Sequence, residues 1–215
     1  AGDTAMARKA VARLSTYAPA DSLGAYLDTK DDVWATGWAA GAFEATIGDT
    51  AIARRWQRNL AALPRGDALW DWTSSLEADI AARLAVREGD FEAAERAAER
   101  AFELWTIHSG NEMAGNPEPV MRFHLAELLF RRGETTRAKG LFQSLCPPHT
   151  WMGVLTARSA FEVGRIAQEL GDLAEAEFYY SMAAKLWENG GPQIAYWRDS
   201  VQDALGNLQS GSVPK

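Results

Sequence analysis

Residues 87–105 read REGDFEAAERAAERAFELW, and the fold turns on how this stretch is understood. A Gly89-Asp90 turn opens a helix with small residues on one face and Glu/Arg pairs on the other. The turn recurs at Gly2-Asp3, Gly48-Asp49, Gly133-Glu134 and Gly171-Asp172, with 38 to 46 residues between successive glycines. An interval of that size marks a helical-hairpin repeat, in which each unit buries its apolar face against its neighbours.

Alignment on the turn glycine shows a packing rule. Seven residues before it stand Gly41, Ala82, Ala126 and Gly164; five after it stand Ala7, Ala53, Ala94, Ala138 and Ala176. Two helices that cross closely leave room for only a small side chain, and a larger one overpacks the contact by about 1–3 kcal/mol. Leu60, Leu125, Phe142, Val163 and Tyr180 are expected to fill the spaces between hairpins.

Breakers divide the chain consistently with this register. Pro19, Pro64 and Pro147-Pro148 end helices, and the Asn189-Gly190-Gly191-Pro192 run stops one helix and restarts another. Asp31-Asp32 and Thr73-Ser74-Ser75 are candidate helix caps, because their side-chain oxygens accept from free amides of a first turn. Residues 107–119, IHSGNEMAGNPEP, read as an irregular loop, equally a segment that carries function on a rigid scaffold or a tolerated insertion. No segment sustains strand-like alternation.

The expected architecture is all-α: a right-handed stack of about four antiparallel helical hairpins. Residues 1–20 are the second helix of a repeat whose first half lies further N-terminal, 21–188 the repeat domain, 189–209 a capping helix and 210–215 a flexible tail.

The set Gly164, Gly171-Asp172, Ala176, Tyr180 and Ala183 resembles the tetratricopeptide repeat, with Pro19 standing where the repeat's closing proline belongs. The resemblance spans residues 2 to about 188, although the intervals exceed the usual 34 and most copies lack the early tryptophan. The stretch FEVGRIAQELGDLAEAEFYYSMAAKLWENG, with Gln202-Asp203-Ala204-Leu205 after it, is similar to the C-terminal repeat regions of large bacterial regulators. Such a resemblance implies an α-solenoid whose first helices line a concave, partner-binding surface.

Composition narrows the function classes. A net charge of −7 argues against nucleic acid as the main partner, since phosphate neutralisation needs a basic face. No apolar run approaches the roughly 18 residues of a membrane span, and a cytoplasmic location is favoured slightly over a periplasmic or secreted one. One cysteine, Cys146, excludes an intrachain disulfide and a Cys-rich metal site. His108 with Glu112 lacks helical metal-ligand spacing, and Cys146 with His149 resembles a nucleophile and base only in residue type. Neither a phosphate loop nor a serine-nucleophile motif occurs, so no cofactor, metal or catalytic activity is expected.

Placed on the first helices of the hairpins, Trp38, Asp79, Arg83, Arg87, Phe123, Glu127, Phe130, Arg131, Phe161 and Arg165 are the expected partner-binding residues. They combine aromatic anchors with guanidinium forks, the types enriched at binding hot spots. The function implied is a non-catalytic scaffold within a larger bacterial regulatory protein, binding a peptide or protein. An alternative uses the nine tryptophans as a small-molecule pocket in a ligand-sensing regulator domain. Packing between long helical hairpins accounts for most indoles better, because indole buries a large area.

Overall fold

The structure, a computed structural model, describes residues 8–9, 11–12, 32–62, 68–108, 117–147 and 153–210. Among these residues the fold is all-α, with no strand. The helices are α1 (Asp32–Ile47), α2 (Thr50–Ala61), α3 (Ala68–Glu88), α4 (Phe91–His108), α5 (Glu118–Arg131), α6 (Thr135–Ser144), α7 (Gly153–Glu169), α8 (Leu173–Trp187) and α9 (Ala195–Gln209). A 3-10 turn, Pro192–Ile194, leads into α9 at the predicted proline restart. Of the expected N-terminal helix, Arg8, Lys9, Val11 and Ala12 are described and helical; the rest of residues 1–20 lies outside the described residues, as do Asp31, Pro64, His149 and the 211–215 tail.

The recurrent turn works through its backbone. Gly89, Gly133 and Gly171 sit at φ of 79°, 82° and 81°, a region glycine enters without the Cβ penalty. In each case the next amide donates to a carbonyl five residues back: Asp90 to Ala85 at 3.0 Å, Glu134 to Leu129 at 2.9 Å and Asp172 to Ala167 at 2.9 Å. The glycine amide donates to the carbonyl three residues back, which completes a Schellman closure. The aspartate then starts the following helix. Asp90 Oδ1 accepts from the Ala93 amide at 2.9 Å, and Asp172 Oδ1 from the Glu175 amide at 3.0 Å. Glu134, one methylene longer, makes no such bond. At the Gly48-Asp49 turn Asp49 Oδ1 accepts from the Ala51 amide at 2.7 Å.

The chain divides between residues 128 and 129 into two compact units, a boundary the repeat register does not contain. In the unit up to residue 128, α1 packs on α2 and α3, α2 on α3, and α3 on α4. Its core joins Trp38, Trp56, Leu60, Ile80, Trp105 and Met121. A Cβ on Gly41 would lie 2.5 Å from Ile80 Cδ1 and 2.9 Å from Trp56 Cβ. In the unit from residue 129, α7 packs on α6 and α8, and α8 on α9. There a Cβ on Gly164 would lie 2.6 Å from the Tyr180 ring. The small residues of the register, Ala53, Ala82, Ala94, Ala126, Ala138 and Ala176, are fully buried.

Three expectations are corrected. Tyr180 does not fill a space between hairpins; it packs into the gap Gly164 leaves on the preceding helix of its own hairpin. Thr73 and Ser75 are not caps, because α3 starts five residues before Thr73 and both side chains are buried within it. Ser75 Oγ instead donates to the Ala101 carbonyl of α4 at 2.6 Å, a tertiary partner that outweighs its local preference for a helix end. The 107–119 loop is shorter than expected: Ile107 and His108 continue α4, Glu118 begins α5, and residues 109–116 lie outside the described residues.

Candidate functional site

In the unit up to residue 128, the predicted residues converge on a buried carboxylate. Asp79 of α3 is 1% exposed, and its Oδ2 accepts from Trp38 Nε1 of α1 at 2.8 Å and from Arg83 Nε at 2.9 Å. Arg83 Nη2 reaches Oδ1 at 3.3 Å. His124 of α5 places Nδ1 3.6 Å from the same oxygen, beyond hydrogen-bond reach. One carboxylate therefore brings together side chains of α1, α3 and α5. Burial works to raise the Asp79 pKa, but Arg83 beside it, with His124, outweighs burial and holds it well below the usual carboxylate range. Burial and the Arg83 charge depress the pKa of His124 against the opposing pull of Asp79 and Glu127, so the imidazole is neutral at pH 7.

Beside this node lies an open groove of about 330 Å³. Trp38, Ala39, Ala42, Phe43, Thr46 and Ile47 of α1 line one side, with Val120 of α5 and Arg83 of α3 across from them among the described residues. Arg83 Nη1 donates to Thr46 Oγ1 at 3.2 Å, which fixes the guanidinium at the groove margin. Arg87, predicted as a binding fork, donates instead to the Glu44 and Gly48 carbonyls at 3.2 and 2.7 Å. It thereby closes the C-terminal end of α1, where unpaired carbonyls need donors.

The aromatic anchors are placed differently from the expectation. Trp38, Phe123 and Phe161 are buried, with 9%, 4% and 8% of their surface exposed; Trp38 nonetheless lines the groove, whereas Phe123 and Phe161 do not. Phe161 packs 5.6 Å from the Tyr180 ring centroid and 6.1 Å from that of Trp197. In the unit from residue 129, Arg165 covers the Phe130 ring at 5.5 Å and pairs with Glu162 at 2.8 Å. Arg131 is exposed, and Glu127 is half-buried. Trp56, Trp105 and Trp187 are packed inside.

Cys146 is buried, its Sγ 3.3 Å from the Phe142 carbonyl, and burial pushes its thiol up to about 12. It is a structural thiol. Among the described residues, no group of three or more His, Cys, Asp or Glu side chains is arranged to hold a metal ion, and no helix is long and apolar enough to cross a membrane.

Sequence reasoning missed Phe43, Thr46, Ile47, Val120 and the role of His124. Register held one clue: His124 lies nine residues before its turn glycine, next to the tenth position that holds Trp38 and Asp79 in earlier copies.

No protein-family model matches the chain, and no curated protein matches it. Among solved structures it is similar to the crystal structure of BtubC (BKLC) from P. vanneervenii, with a TM-score of 0.61 and 17% identity, over 97% of this chain and 82% of that one. At that identity the likeness concerns the fold alone.

Proposed function

We propose that this chain is a non-catalytic interaction scaffold of the tetratricopeptide-like kind, working within a larger bacterial regulatory protein and binding a peptide or protein segment on the face that α1, α3 and α5 share. One observation carries the reading: α1, α3 and α5 together wall an open, mostly apolar groove in which the Arg83 guanidinium is fixed in place. Small residues at the helix contacts and Schellman turns at the repeat interval support the repeat assignment. A rigid wall built on helices suits recognition, because little side-chain freedom remains to be lost on binding.

The test is selection of a phage-displayed random peptide library on the chain, with Ile47→Lys as the comparison target. Ile47 is 47% exposed at the end of α1, so lysine there adds charge to the groove without disturbing the core. Peptides enriched on the parent chain and lost on the variant are expected. An absence of enrichment, or equal enrichment on both, removes the groove as the binding surface.

A further inference from the structure

We infer that the groove recognises an uncharged apolar side chain of its partner together with that residue's main-chain carbonyl, and that it discriminates against anionic and cationic groups. This inference rests on the proposed binding role and specifies its chemistry.

The charge arrangement decides the class of occupant. Among the described residues, Arg83 is the one charged residue lining the groove, and only 12% of its side chain is exposed. Its positive charge already faces Asp79, whose carboxylate accepts from both Nε and Nη2. The pair is neutral as seen from the groove, because Asp79 stays ionised throughout the neutral range. A partner carboxylate placed at Arg83 would lose its hydration and meet the Asp79 charge directly behind the guanidinium, so desolvation is not offset. A partner ammonium would be desolvated beside Arg83 itself. An uncharged apolar side chain meets neither cost and gains from contact with Ala42, Phe43, Ile47 and Val120.

The remaining polarity points to the second half of the recognition. A guanidinium carries five N–H donors. Three are accounted for by Asp79 and by Thr46 Oγ1, which leaves two for an acceptor entering the groove. A peptide carbonyl supplies an acceptor with no net charge. The volume, about 330 Å³, is at the small end of ligand pockets, which run from roughly 300 to 1,000 Å³, so the fit is to one or two side chains of a longer segment.

The experiment takes the peptides enriched on the parent chain and synthesises each as a labelled, C-terminally amidated form. Every apolar position is replaced in turn by Glu, Lys and Ala, and binding is read by fluorescence anisotropy at low and high salt. One position is expected at which Leu or Phe is required and at which Glu and Lys each weaken binding at least about tenfold, a difference of about 1.4 kcal/mol. Affinity is expected to change by less than about threefold between low and high salt, since no net charge is engaged. Binding that depends on an acidic residue or a free C-terminal carboxylate, and that falls steeply with salt, overturns the inference while leaving the groove as the binding surface. Binding that Ile47→Lys leaves unchanged removes the groove reading itself, and this inference with it.

Discussion

At the scale of single residues, Asp79 is the position whose change should be felt most. Its carboxylate satisfies the Trp38 indole and the Arg83 guanidinium in a site with almost no access to water. Asp79→Ala leaves both donors without their acceptor, and removal of one partner from a buried pair typically costs about 3 kcal/mol or more. Urea unfolding monitored by circular dichroism should show this loss, with Asp79→Asn recovering part of it because the amide oxygen still accepts from Trp38. His124 adds a pH dependence. Its pKa in the folded chain is below the unfolded value near 6.5, so the unfolded chain takes up the proton first as pH falls. The stability associated with neutral His124 is therefore fully present above about pH 6.5 and is lost as pH drops below it. Asp79, depressed in the same direction, contributes stability that is fully present above its own unfolded pKa near 3.9 and is lost only below it, outside the window in which His124 titrates. The decline between pH 7 and 5 should accordingly flatten in His124→Gln; an unchanged slope would assign it to other groups.

At the scale of elements, the turn is the best-read feature, because everything it needs is local. Glycine at C′ and aspartate at the cap are short-range requirements, and they stand two to five residues from the groups they satisfy. The odd turn tests the account. Glu134 makes no cap bond, so Glu134→Asp should stabilise by about 0.5–1 kcal/mol, whereas Asp172→Ala should cost about 1 kcal/mol. A thermal melt of each variant measures both. Helix glycines divide by the same logic. Gly164→Ala drives a methyl into the Tyr180 ring and should destabilise by about 1–3 kcal/mol. Gly140 on α6 meets nothing within 4 Å, so Gly140→Ala should stabilise by about 0.5–1 kcal/mol. The sequence marked Gly164 as a close contact through its register. What it left open was the opposing group, since a gap in one helix does not say whether an alanine or a tyrosine ring fills it.

At the scale of the whole molecule, legibility falls with the range of the interaction. Hairpin spacing is a local period, and the helix pairs α1–α2, α3–α4 and α7–α8 pack against each other as it expects. The candidate site depends on how α5 is registered against α3, so the approach of His124 to Asp79, 45 positions apart, has no short-range signature. The misplaced aromatics share that cause. Helices such as α1, α3 and α7 have neighbours on more than one side, so an aromatic away from the hairpin contact, such as Phe161, is as readily interior as exposed. The division at residues 128 and 129 is likewise invisible to a periodic pattern, because the period of turn glycines continues through it. Cooperative opening units tend to follow continuous cores. Gly41 lies in the core containing Trp56 and Ile80, and Gly164 in the other unit against Tyr180. Gly41→Ala is expected to lower amide-exchange protection together across α1 to α4, and Gly164→Ala to lower it together across α7 and α8. Native-state hydrogen exchange resolved by mass spectrometry measures this directly. Loss confined to the mutated helix in either variant would show that the hairpin, and not the compact unit, is the element that opens cooperatively.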